Sequence, residues 1–355
     1  MDPLTSDPAV LEAYSRDASL FKVMPKWVAY PKDAQDIKEL IKIARERGTS
    51  LTMRAAGSDM SGGPLNEGIV ADVTKHMNKV GEVRETYSRD ASIFKVLPKW
   101  VAFPKSVEDI KALVKEARER GTSLTMRAAG SDMSGGPLNE GIVADVTKHM
   151  SKVGEVKAEG TVVQPGVLYR EFELLTLDKN LVLPCFPASK NLAALGGMVG
   201  NNCGGELSLR YGKMEEWVRE SRYVFSDGNE YVVKPLTKAE FAEKIAQNNF
   251  EGNIYKQVSE LIEQNREAIM AAKPKVSKNS AGYYLWNLWQ EEKFDLNRLL
   301  TGAQGTLGVM TEATVGLVPV KTHHDLIALF FNSWEELPQV VNTILPFEPE
   351  SLETF

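Results

Sequence analysis

Between Lys99 and Thr147 the apolar positions change period twice. "KWVAFP" is a short apolar run closed by Pro104 and reads as a strand. In the next stretch Ile110, Leu113, Val114 and Ala117 fall at i, i+3, i+4 and i+7, the single buried stripe of a helix. Ser106 is placed to cap that helix, with Asp109 at its third position as a shortened capping box, and Gly121 ends it. "SLTMRAAG" and "GIVADVT" return to strands. A strand, helix, strand order predicts a right-handed parallel crossover.

The same pattern stands 73 positions earlier. Tyr14 to Val83 aligns with Tyr87 to Val156 with 10 differences over 70 positions, and Ala44–Met77 repeats as Ala117–Met150 without a change. "RAAGSDMSGGPLNEGIVADVT" therefore occurs twice. Solenoid repeats keep a core pattern and let surfaces drift, whereas here surface, loop and core are all copied. Where the first copy has Ile43 the second has Glu116, so the first asks for a wider buried helix face.

Beyond Val156 the pattern predicts a strand at "TVVQPG", a helix from Leu168 to about Asp178, and an irregular tract "LVLPCFPASKNLAALGGMVGNNCGGELSLRYG". Two strands meet at Asp227-Gly228, a hairpin signal. A polar helical stretch follows from Lys238 to about Met270, and the i, i+3 pair Trp286 and Trp289 reads as a buried helix face. "GAQGTLGVMTEATVGLVP" reads as a glycine-rich turn entering β structure, and "HHDLIALFF" as a last strand that opens a domain the sequence does not complete.

Composition narrows the partners. The chain has 355 residues, 43% hydrophobic and 25% charged, which suits a folded globular protein. A net charge of -6 argues against nucleic acid or an anionic membrane, since phosphate binding needs Lys and Arg to displace counterions. The acidic start "MDPLTSDPAV" lacks the pattern of a signal peptide, and no run approaches the roughly 18 apolar residues of a membrane helix. Two cysteines, Cys185 and Cys203, make neither a disulfide framework nor a CxxC pair, so a cytoplasmic chain is expected. His76 and His149 are one repeated position, and His323 and His324, adjacent on a strand, point to opposite faces; no metal site is expected.

The chemistry lies in glycines. "AAGSDMSGG" has neither the lysine of a P-loop nor GxGxxG spacing. Gly130, Gly135 and Gly136 with Ser131 and Ser134 could turn backbone N–H groups and hydroxyls onto a diphosphate, or could simply form a surface loop. In "LGGMVGNNCGG", Gly196 and Gly197 would let a backbone approach a flat ligand while Asn201 and Asn202 offer polar groups to a ring edge; a tight turn in a core is the alternative.

In order, "RAAGSDMSGG", "IVADVTKHMSKV", "VVQPGVLYREFE", "FPASKNLAALGGMVGNNCGGELSLRYG", "VFSDGNEY", "KNSAGYYL" and "GAQGTLGVMTEATVGLVP" resemble the FAD-linked oxidases of the vanillyl-alcohol oxidase and p-cresol methylhydroxylase type, in the branch of D-lactate dehydrogenase and the glycolate oxidase flavin subunit. The resemblance runs over about residues 88 to 355. It implies an α+β protein in which two α/β half-domains grip FAD, residues 87–156 and 157–320, preceded by an extra copy of the first half-domain at 1–86 and followed at 321–355 by the start of an incomplete cap.

The resemblance also implies which residues bind FAD. Ala128, Ala129, Gly130, Ser131, Asp132, Ser134, Gly135 and Gly136 would hold the diphosphate. Pro187, Ser189, Gly196, Gly197, Asn201, Asn202, Gly204 and Gly205 would line the isoalloxazine, and Gly305, Thr306 and Gly308 would run along FAD from the second half-domain. The sequence departs from the family in Gln304, where Glu is frequent, and in Cys203, where Ala is frequent and a space-filling thiol is read.

The implied activity is oxidation of a D-2-hydroxy acid such as D-lactate or glycolate by hydride transfer to flavin N5. Electrons would pass to an acceptor that the residues do not specify, and a separate cap-bearing or electron-transfer chain is an implied partner. Lys278, Asn279 and Tyr283 stand in the "KNSAGY" motif near the flavin, but no residue is assigned as catalytic base. Two alternatives stay open: a non-catalytic FAD-binding module, and an interaction protein built on the duplicated segment. One set of downstream motifs can serve only one copy, and the second copy, which runs directly into "KAEGTVVQPG", is expected to serve it.

Overall fold

The computed structural model describes residues 3–17, 19, 21–55, 62–76, 83–276 and 279–354. Two compact units emerge, Met1–Glu82 and Val83–Phe355.

In the first unit β1 (Leu4–Thr5), α1 (Pro8–Ala13), β2 (Trp27–Ala29), α2 (Ala34–Glu46), β3 (Leu51–Arg54) and β4 (Ile69–Asp72) follow one another. The sheet order is β1-β2-β4-β3, with β2 and β3 parallel to β4 and β1 antiparallel to β2. Asp33 begins α2 by accepting the amides of Gln35 at 2.8 Å and Asp36 at 3.0 Å. Leu40 and Ala44 of α2 close over Ala29, Ile69 and Ala71, with Ile43 half-buried against them.

The second unit repeats the theme before it extends it. After α3 (Val83–Thr86), β5 (Trp100–Ala102), α4 (Val107–Glu119), β6 (Leu124–Arg127) and β7 (Ile142–Asp145) form a parallel sheet β5-β7-β6 in the register of the first copy. Both copies tie a tyrosine to the aspartate that ends the central strand: Tyr14 donates to Asp72 and Tyr87 to Asp145, each at 2.5 Å. Ser106 accepts the Asp109 amide at 3.2 Å as expected, but the Asp109 carboxylate accepts from Lys105 rather than from the cap residue, so the reciprocal half of the box is displaced by one residue.

The remaining elements build an antiparallel half. They include β8 (Thr161–Val163), α5 (Tyr169–Leu177), β9 (Leu181–Val182), α6 (Leu195–Gly200), α7 (Ser208–Tyr211), β10 (Val218–Val224), β11 (Glu230–Val233), β12 (Leu236–Thr237), α8 (Lys238–Ile245), α9 (Phe250–Gln264), α10 (Arg266–Ala272), β13 (Trp289–Gln290), β14 (Lys293–Phe294), β15 (Val309–Val315) and β16 (Val318–Pro319). Strands β11-β10-β15-β8 form its main sheet. The β10–β11 hairpin turns at Gly228, whose φ of 85° is open to glycine at little cost. Ile110, Val146 and Met150 from the parallel part meet Val224 and Val309 from this sheet, all buried, and α4 packs on β10. Each such aliphatic side chain contributes about 1.5–3 kcal/mol by leaving water.

The two helices bury different parts of one stripe. Leu40 is buried in α2 and Ile37 only half-buried, whereas in α4 Ile110 is buried and its neighbour Leu113 half-buried. Ile110 is the residue that α4 turns toward Val224.

The polar stretch after Lys238 is helical as expected, in α8, α9 and α10. Three expectations are corrected. "LGGMVG" forms a short helix, α6, because the amides of Leu195 and Gly196 are fixed by the carbonyls of Val167 and Pro165. Trp286 and Trp289 share no helix: Trp289 lies in β13 opposite Phe294, an edge-to-face pair at 5.1 Å. "HHDLIALFF" forms no strand among the described residues, and Leu326 and Phe330 stand almost fully exposed.

Candidate functional site

Strand β6 ends at Arg127 and delivers its chain into the glycine loop. Gly130 and Gly135 take φ of 69° and 87°, conformations that a side chain resists, and a Cβ on Gly130 would lie 2.3 Å from Arg127 Nη2. The Asp132 carboxylate organises the loop, accepting the Ser134 hydroxyl and the Gly136 amide at 2.8 Å and the Ser134 amide at 3.0 Å. Burial works against that charge, but the amide of Gly136 and both groups of Ser134 outweigh it and hold the carboxyl below its usual range. The amides of Gly130 and Ser131 and the Ser131 hydroxyl have no acceptor among the described residues. These donors suit an anion that needs no lysine.

Opposite the loop, α6 shows a side with no side chains. Gly196 packs so closely on Pro165 that a Cβ would meet it at 2.7 Å, while a Cβ on Gly197 would sit 3.7 Å from the Ala128 Cβ, in the space between the two segments. The tract after Leu300 is pinned to the far end of this helix: the amides of Gly302 and Gln304 donate to the carbonyls of Val199 and Gly200 at 2.9 Å. Gln304 itself has φ of 51°. Close backbone approach leaves this side of the helix bare where it borders the cleft, so a flat ligand there would meet backbone rather than side chains.

Loop, α6 and the Gln304–Gly305 turn open onto one cleft. Met126, Val146, Leu300, Val309, Met310 and Tyr223 make its apolar wall. Asp132 is its one formally charged lining residue among those described, and it is already committed to the loop.

The expected residues divide into two groups. Ala128, Ala129, Gly130, Ser131, Asp132, Gly136, Pro187, Ser189, Gly196, Gly197, Asn201, Gly305 and Gly308 line the cleft together. Ser134, Gly135, Asn202, Gly204, Gly205 and Thr306 do not line it. Asn202 is buried, with its side-chain oxygen accepting the Glu215 amide at 3.0 Å. A Cβ on Gly204 would fall 2.3 Å from Ser208 Oγ, and one on Gly205 2.1 Å from the Phe186 carbonyl oxygen, so both glycines serve packing. Thr306 donates to the Ala303 carbonyl at 2.6 Å and bonds Tyr283 Oη at 2.9 Å.

Residues that sequence reasoning missed include Pro165, Gly200, Met310 and above all Tyr223. Lys278 of "KNSAGY" lies outside the described residues, as does 56–61 of the first loop copy. The rest of that motif is tied to segments next to the cleft: Ser280 donates to the Asn202 carbonyl at 3.0 Å and Lys213 donates to the Asn279 carbonyl. Cys203 reaches the cleft wall and its thiol donates to the Cys185 carbonyl at 3.4 Å, while burial pushes the Cys185 thiol well up. Among the described residues no cluster of His, Cys, Asp and Glu is placed to hold a metal ion, and no helix is long and apolar enough to cross a membrane.

A family model described as "FAD binding domain" matches residues 25–89 and 98–234, one stretch in each copy, the second continuing through β11. The chain is similar to D-2-hydroxyglutarate dehydrogenase of Escherichia coli (strain K12), 33% identical over 71% of this chain and 25% of the relative. It is also similar to glycolate oxidase subunit GlcD of Bacillus subtilis (strain 168), 27% identical over 76% of this chain and 48% of the relative, and to D-lactate dehydrogenase of Archaeoglobus fulgidus, 28% identical over 71% and 47%. The chain thus spans from a quarter to about half the length of these relatives.

Proposed function

We propose, from the premise that this chain belongs to the FAD binding domain family and has FAD as its cofactor, that its cleft is the cofactor half of an enzyme oxidising D-2-hydroxy acids. The observation that carries the reading is the convergence, in one cleft, of donors free on Gly130 and Ser131 with the bare side of α6 at Gly197. The Gly130–Ser131 donors would bind the diphosphate, and the bare side of α6 at Gly197 would let the flavin ring lie against backbone at the cleft wall. FAD supplies the hydride acceptor when bound. The work of this chain is to orient that acceptor, exclude water from one side of it through Met198, Leu300 and Val309, and leave the other side to substrate.

The relatives' names support a 2-hydroxy acid as the substrate class. A second reading, an FAD-binding module that needs residues outside this chain for turnover, is favoured by the lining itself: Asp132, its one carboxylate among the described residues, is locked in the loop and is not placed as a base. Anaerobic addition of D-lactate, glycolate or D-2-hydroxyglutarate to the purified flavoprotein separates the two. Bleaching of the visible flavin band by a D-acid and not its L-enantiomer supports the enzyme; a yellow protein that none of them bleaches supports the module.

A further inference from the structure

Tyr223, on β10, lines the cleft yet is only 5% exposed. Its hydroxyl has no hydrogen-bond partner among the described residues, and burial alone pushes the phenol up. Of the tyrosines buried away from the cleft, Tyr169 donates to the Leu183 carbonyl at 3.0 Å and the Tyr255 hydroxyl is sealed without a partner, so what distinguishes Tyr223 is its place on the cleft wall. The hydroxyl itself is not sealed off, so it meets water in the open cleft and can exchange that water for a polar group of a ligand.

The ring cannot swing away. It stacks on Phe225 at 6.1 Å with planes 15° apart, lies opposite Met310 in the β10–β15 ladder, and is crowded by Gly308, where a Cβ would come within 3.3 Å of Tyr223 Cδ1. Its neighbours on the cleft wall are apolar. The glycine loop offers donors for an anion and α6 offers its bare side to a flavin ring, so the apolar wall at Tyr223 is left for the other aromatic part of a dinucleotide. Adenine has apolar faces that suit Val309 and Met310 and a polar edge that a phenol can meet as donor or acceptor.

We propose that Tyr223 is a cofactor-binding residue whose hydroxyl hydrogen-bonds the purine edge of FAD, making the site selective for the dinucleotide over flavin mononucleotide. The inference rests on the FAD reading. The test is the affinity of the apoprotein for FAD, for flavin mononucleotide and for ADP, read by flavin fluorescence and by titration calorimetry, in the wild type and in Tyr223→Phe, which keeps the ring and its packing. The phenylalanine variant should bind FAD and ADP about tenfold more weakly, the value of one buried hydrogen bond, and flavin mononucleotide unchanged. FAD and ADP affinities within twofold of wild type, or an equal loss for flavin mononucleotide, overturn the role of Tyr223. A wild-type chain that binds no FAD overturns the cofactor reading itself and Tyr223's role with it.

Discussion

The Asp132 carboxylate accepts the amide of Gly136 at 2.8 Å, four residues on, and so closes the glycine loop before any ligand arrives. That bond and its partners on Ser134 leave Gly130 and Ser131 as the donors free to face the cleft. Asp132 is thus a positioning group for the loop, although it is also the one negative charge in the lining described. Asp132→Ala should weaken FAD binding about ten- to a hundredfold, because charge-assisted bonds to the backbone are worth about 1.5–3 kcal/mol each. Asp132→Asn, which keeps an acceptor and removes the charge, should recover most of the loss, as measured by fluorescence titration.

The same residue sets a pH dependence whose sign follows from its shift. Its folded-state pKa is lowered, so its contribution is complete above the ordinary aspartate value of about 3.9 and is lost only as pH falls through the lower folded value. Loop order, followed by amide exchange of Gly136, should therefore hold unchanged from neutral pH to about pH 4 in the wild type. A loss beginning near pH 6 would contradict the assignment.

Gly130 and its counterpart Gly57 separate the two copies. Gly130 lines the cleft with φ of 69°, while Gly57 lies outside the described residues. Gly130→Val should leave a protein without bound flavin. Gly57→Val should leave flavin content within experimental error of wild type, as read from flavin released on denaturation.

Gly197 and Gly205 separate the site from the fold. A Cβ at Gly197 meets nothing closer than 3.7 Å, so Gly197→Val should put side-chain bulk on the cleft wall, cutting FAD affinity at least tenfold while the melting temperature of the apoprotein stays near wild type. A Cβ at Gly205 would clash with the Phe186 carbonyl at 2.1 Å, so even Gly205→Ala should lower the melting temperature of the apoprotein by several degrees, at a cost of about 1–3 kcal/mol.

Much of this was legible from residue order. The parallel strands of both copies announced themselves by short apolar runs around one helical stripe, and the loop after β6 by glycines mixed with small polar residues. What escaped was tertiary. "LGGMVG" reads as a turn by propensity, and it is helical because Pro165 and Val167 hold its first amides. Trp286 and Trp289 have helical spacing, but pairing of Trp289 with Phe294 across a hairpin overrides it. Asn202, Gly204 and Gly205 could not be told from cleft residues, because a glycine needed for packing and one needed for a ligand are the same letter. Tyr223 alternates along β10 like any core residue, and only its place on the cleft wall sets it apart.

The central claim, one FAD site built by the second copy with the antiparallel half, is tested most directly by cofactor stoichiometry. The purified full chain, saturated with FAD and freed of excess, should carry one FAD per chain despite its two glycine loops. A folded chain that retains none, or one that retains two, would contradict the account.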